Sequence, residues 1–238
     1  MLFHNLVGDL REPQTGLVAY TTQNRYEGEV GATVELLRYL PSNGFQWAWG
    51  IFGEGFILLD EYGATFPMRD GDWYAGMYVS EKSGDFSHRL EFEHESSHLG
   101  DSLQGLQTPT FFSRENLNFT SSWQPNDALR LHVGIGYWEN MAPSGGPLFL
   151  SWGGEVYSPS TDILDGPLRG FSTLHFDWKQ EYSDVLYVTW EAGVQWKFKK
   201  GETRDVRVAL IYYDGNSEFG QFASTHDEHW GLGVYFDP

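Results

Sequence analysis

Apolar and polar residues alternate along much of this chain with a period of two. Leu129–Trp138 shows it clearly: Leu129, Leu131, Val133, Ile135 and Tyr137 fall on one face, and Arg130, His132, Gly134 and Gly136 on the other. Asp205–Tyr213 repeats it, with Val206, Val208, Leu210 and Tyr212 against Arg207 and Ala209. Side chains of a β-strand point alternately to opposite faces, so the pattern predicts strands with one apolar and one polar face. Such strands are predicted near 16–24, 29–39, 45–59, 72–81, 86–96, 110–122, 129–138, 147–157, 168–178, 185–198, 205–213 and 229–236.

Short turn-rich links are expected at Pro41–Gly44, Glu81–Asp85, Gln124–Asp127 and Lys200–Thr203, and longer ones at 60–71, 97–109, 139–146 and 214–228. Outer-membrane barrels have this asymmetry, with short periplasmic turns and longer outside loops. Two links depart from it: 25–28 is short and 158–167 is long. The expectation is an all-β fold, a single antiparallel transmembrane β-barrel of about 12 strands. It would occupy 16–238, with 1–15 as an N-terminal periplasmic segment, and an even strand count puts both termini in the periplasm. A soluble β-sandwich or ligand-binding barrel would show the same alternation with its apolar face turned inward.

Composition sharpens this picture. No run of about 18 apolar residues occurs, so a transmembrane helix is not expected; a barrel needs only every second residue apolar. The 17 Phe, 13 Tyr and 10 Trp include clusters near strand ends (Trp47 and Trp49, Trp73 and Tyr74, Tyr137 and Trp138, Trp178) that suit interfacial aromatic girdles. The net charge of −18 repels phosphate backbones, so no nucleic-acid partner is expected. Outer-membrane lipid, or lipopolysaccharide bridged to acidic loops by divalent ions, is the expected partner. With no Cys, disulfide and thiol chemistry are excluded. Met1–His4 is no secretory signal, so an envelope location requires the mature form of the chain with an added initiator Met. The final strand, His229–Phe236, resembles the terminal signal through which outer-membrane barrels meet the barrel-assembly machinery, with Asp237 and Pro238 trailing it.

Three segments together resemble the bacterial outer-membrane family catalogued as domain of unknown function 1207: Leu6–Pro13, His94–Asp101 and Tyr213–Phe222. In the first, Gly8 and Leu10 stand where Ala and Pro are expected. The resemblance implies an outer-membrane barrel and brings no activity with it.

His94–His98 also spells His-Glu-x-x-His, the zinc-protease motif. That motif needs a helix, which sets residues four apart on one face. Here it continues the alternation of Phe86–Glu93, and on a strand residues four apart are about 13 Å from each other, too far for one zinc ion. The strand frame instead puts Phe86, His88, Leu90, Phe92, His94, Ser96 and His98 on one face, with the charged residues opposite. In a membrane barrel the apolar face meets lipid, so His94 and Ser96 would stand on the outer wall near the outer leaflet.

That placement resembles the outer-membrane phospholipase A and lipid A 3-O-deacylase families, which carry His-x-Ser on a lipid-facing strand with a polar partner on the next strand. His94–Ser97 lacks their usual Asn after the Ser. The resemblance implies ester hydrolysis, with Ser96 as nucleophile and His94 as its base. On the next strand Glu115 shares a face with Phe111, Ser113, Leu117 and Phe119, where a lone carboxylate is costly; it is the candidate partner of His94. The oxyanion donor is open between the backbone N–H of Ser97, that of Gly100, and a loop-bound cation. Two other classes stand beside the hydrolase. One is a structural or ion-binding barrel, with His98, Asp101, Gln221 and His226 meeting at the outer rim. The other is a narrow channel, which a lumen filled by Arg38, Arg69, Arg89, Arg130 and Arg207 with their carboxylates disfavours. No cofactor is firmly implied; Ca²⁺ is the ion such a rim, or the loop at Asp214–Ser217, could hold, and that loop lacks the full ligand spacing of a known calcium loop.

Overall fold

A computed structural model describes residues 1–41, 44–163, 166–181, 184–198 and 205–237. The strands run β1 (Thr15–Tyr20), β2 (Arg25–Tyr39), β3 (Gln46–Asp60), β4 (Met68–Ser83), β5 (Phe86–Leu99), β6 (Phe112–Asn126), β7 (Leu129–Ala142), β8 (Leu148–Tyr157), β9 (Thr161–Ile163), β10 (Gly166–Lys179), β11 (Val185–Lys197), β12 (Asp205–Asn216) and β13 (His226–Asp237). Long strands consecutive in the chain pair antiparallel, with β8 joined to β10 and β13 to β1, so all but β9 close into a 12-stranded barrel. Thr15 pairs with Phe236, which sets the start of β1 and the end of β13 at one rim.

The expected strands are present, with two local differences. Residues 25–28 are ladder rather than loop, because Arg25 pairs with Asp60 of β3 and Glu27 turns inward to Arg11; the turn falls on the polar run 21–24 instead. Within the long link 158–167, β9 folds back on Gly166–Leu168, which satisfies backbone groups that a free loop would leave to water. The tight turn between β4 and β5 depends on Gly84, whose φ of 58° suits a residue without Cβ. The expected turn at Lys200–Thr203, the centre of the one at Pro41–Gly44, and Pro238 lie outside the described residues.

The apolar face points outward: Val133 is 59% exposed, whereas Arg130 on the same strand is 4% exposed. A sandwich or soluble barrel with an apolar interior is thereby excluded. The interior carries most of the buried charged residues, together with an apolar cluster that includes Val18, Phe56, Leu58 and Ile211. Residues 2–14, expected as a segment apart from the barrel, run inside it. Their partners lie on six strands around the wall: Glu27 for Arg11, Glu54 for the Gln14 N–H, Arg89 for Glu12, Arg130 for the His4 and Asn5 carbonyls, Glu155 for the Val7 N–H, and Arg207 for Gln14. Only a segment in the lumen reaches all of these. Phe3 and Leu6 are buried there, and the Arg89 guanidinium stacks 4.5 Å above the Phe3 ring. An interior cavity of about 110 Å³ remains beside the segment, lined by charges of both signs.

Candidate active site

Alternation on β5 turns Arg89, Glu91, Glu95 and Ser97 into the lumen and leaves Leu90, Phe92 and His94 exposed on the outer wall, with Ser96 half-buried among them. His94 and Ser96 thus occupy successive outward positions, about 7 Å apart along the strand. Register places Glu115 of β6 opposite His94 and Ser113 opposite Ser96. The His94 Nδ1 atom lies 3.4 Å from Glu115 Oε1. Contact through Nδ1 leaves Nε2 as the ring nitrogen not engaged by Glu115.

A fourth residue joins from β7. Asn140 donates its side-chain N–H to Glu115 Oε2 at 2.5 Å. Simple alternation from Tyr137 would put Glu139 outward and Asn140 inward. Glu115 pairs with Asn140 while Asn116 pairs with Trp138, so Glu139 is an extra residue on β7. This β-bulge reverses the parity of the strand end and brings Asn140 to the outer wall. Sequence reasoning missed Asn140 for that reason. Glu115, costly if alone on an apolar face, has a partner at each oxygen.

Behind this wall the inner face is structural. The Ser97 hydroxyl donates to Asp70 and accepts the Gln221 N–H at 3.1 Å, while the Gln221 side chain donates to the carbonyls of Ser97 and Thr110. The Gly220 N–H donates to Asp72 at 3.0 Å. The chain after β12 therefore folds into the barrel, where Glu218 accepts from Lys179 and pairs with Arg11. Arg11 stacks on Phe56 and Phe219. The three segments that carry the family resemblance meet here. In the link between β10 and β11, burial pushes the Glu181 carboxyl up, against the opposing pull of Arg114.

The rim residues expected to bind an ion have separate settings. His98 is exposed, Asp101 accepts from the Gln104 amide, Gln221 is buried against Ser97, and His226 lies 3.6 Å from Asp214. Among the described residues no three His, Asp or Glu side chains gather where they could hold a metal ion.

The family described as "Protein of unknown function (DUF1207)" matches residues 18–237. No curated protein sequence matches the chain. Among solved structures, outer membrane phospholipase A from Escherichia coli superposes with a TM-score of 0.60 at 12% identity, covering 94% of this chain and 95% of that one. The Salmonella typhi outer membrane phospholipase, described as a dimer with bound calcium, gives 0.58 at 13% identity, covering 98% and 94%. At such identity the likeness establishes a shared fold.

Proposed function

The chain belongs to the DUF1207 family, and we propose that it is an outer-membrane lipid acyl hydrolase with Ser96 as nucleophile. The observation that carries this reading is the His94–Glu115 contact at 3.4 Å, on an outer wall where an ionisable pair is otherwise costly, with Ser96 in the next outward position. The barrel spans the outer membrane with its apolar exterior in lipid, both termini are periplasmic, and the site lies at the depth of the outer leaflet.

The chemistry follows from the order of the groups. Ser96 Oγ attacks the ester carbonyl and its proton passes to His94 Nε2. Glu115 holds the ring tautomer and stabilises the imidazolium. Asn140 fixes Glu115. The carbonyl–alkoxy bond then breaks, His94 returns the proton to the departing lysolipid oxygen, and an acyl-serine remains. Water, deprotonated by His94, cleaves that ester; fatty acid leaves and Ser96 regains its proton. No step is assigned to a cation.

The test is fatty-acid release from phospholipid and from lipid A by the protein folded into detergent micelles, beside a Ser96→Ala variant. Release abolished by the substitution is expected. Equal release from both proteins, or none from either, would sink the reading. A purely structural role would then remain, supported by the Ser97–Gln221–Gly220 contacts of the inner face.

A further inference from the structure

A hollow of about 350 Å³ opens on the outer wall beside the candidate nucleophile, lined by Val30, Gly55, Trp73, Ala75, His94 and Ser96, with Glu54 and Tyr74, whose side chains are buried, also at its edge. That volume lies within the range of small-molecule sites, roughly 300–1,000 Å³. Backbone register explains why it is there. His94 pairs with Ala75, Ala75 with Gly53, and Gly53 with Ala32, so one row across β5, β4, β3 and β2 carries almost no side chain beyond the imidazole. A Cβ built on Gly53 would meet nothing nearer than the Tyr74 carbonyl oxygen at 3.7 Å, so the floor there is backbone with open space above it. The next row, Phe92, Met77, Ile51 and Val34, is bulky and exposed and forms one bank. Trp73, whose ring lies over Gly55, and Val30 form the other. Beyond the residues that line the hollow, the small-residue row continues over Gly53 and Ala32, three inter-strand steps from His94, about 14 Å.

The row also has a direction. In the other sense it continues from His94 to Glu115 and Asn140. Asn140 is two residues from the rim end of β7, Glu115 three from that of β6 and His94 five from that of β5. Ala75, Gly53 and Ala32 are each seven from the same end of their strands. Polar groups therefore stand near the rim and the small-residue floor leads away from it, the order of an ester headgroup and its acyl tail. We propose that this hollow is the acyl-chain site of the hydrolase reading, on which it rests: a long ester-linked chain of a membrane phospholipid lies along Ala75, Gly53 and Ala32 with its carbonyl at Ser96. Ala75 and Gly53 then select for long chains.

The test uses Ala75→Trp in the full chain, with Val208→Trp on the exposed face of β12 as a control for added bulk. Hydrolysis of dipalmitoyl phosphatidylethanolamine is expected to fall about tenfold or more in Ala75→Trp, and that of the dihexanoyl lipid by less than about twofold. Equal losses on both lipids, or none, overturn the proposal. A second measurement does not depend on turnover. Ser96→Ala protein in vesicles is photolabelled by phosphatidylethanolamine bearing a diazirine midway along one chain. Excess label on β3 and β4 over β12, removed by Ala75→Trp in the same background, is expected. Even labelling overturns the hollow, whether or not hydrolysis depends on Ser96. Excess labelling without hydrolysis would retain the chain site and remove the esterase.

Discussion

Glu115 is the residue whose position asks most for an explanation, because a carboxylate among Leu117, Phe119 and Phe111 has a desolvation cost that pairing must offset. Its two oxygens divide the task, one toward His94 and one toward Asn140. Removing each partner should give a graded result. Glu115→Ala is expected to lower kcat on a phospholipid by about 10²–10⁴-fold, the range for losing an element of base catalysis. Glu115→Gln, which can still hold the ring but not its positive charge, should fall between that variant and the parent. Asn140→Ala touches no substrate and should cost about tenfold in kcat, or 1.4 kcal/mol, with KM unchanged. An Asn140→Ala loss confined to KM would remove it from the site. Alternation put His94, Ser96 and Glu115 on the outward face, since their strands are regular up to that point, and the His-x-Ser resemblance singled them out there. Asn140 was hidden because a single extra residue, Glu139, immediately before it reverses the alternation.

At the scale of elements, the lumen is organised around residues 2–14. The segment has no alternation, so its sequence sets it apart from the strands without saying where it goes. Its destination is fixed by charge: Arg11 and Glu12 find Glu27 and Arg89, and backbone groups take up Arg130 and Glu155. Arg130 donates to four partners, His4, Asn5, Ser122 and Glu155, and is almost fully buried. Arg130→Ala leaves Glu155 in the interior without that cation and should destabilise the barrel by about 3–5 kcal/mol. Arg38, also predicted to fill the lumen, lies exposed at the rim beside Glu35, and Arg38→Ala should cost no more than about 1 kcal/mol. Equilibrium urea unfolding of both variants in the same vesicles measures the contrast. Equal effects would mean that the segment does not anchor to the wall through Arg130. The same logic limits what the family segments reveal by sequence: their meeting, Gln221 with Ser97 and Arg11 with Glu218 and Phe219, joins parts of the chain far apart in sequence, and no local pattern encodes that.

For the whole molecule, the alternation that predicted the strands is silent about which face is inside. The answer comes from the opposite face, where buried arginines such as Arg89, Arg114 and Arg130 are paired with buried carboxylates across the lumen, while the apolar rows have no covering layer. Val133, Leu232 and Phe236 are all more than half exposed. In water such a surface would associate; in a bilayer it is the favoured exterior. The two environments make opposite demands of one substitution. Leu232 is 54% exposed near the middle of β13, so Leu232→Arg should cost about 2–4 kcal/mol in phospholipid vesicles, because a guanidinium there must leave water for hydrocarbon. Phe111, 80% exposed just before β6 begins at the loop-bearing rim, lies where the polarity is higher, and Phe111→Arg should cost about 1 kcal/mol or less. Urea titrations of both variants refolded into the same vesicles separate the cases. A difference of this sign places a hydrocarbon layer around β13. Two small, equal effects would mean that water surrounds the wall, and the lipid-facing position of Ser96 would be lost with the membrane.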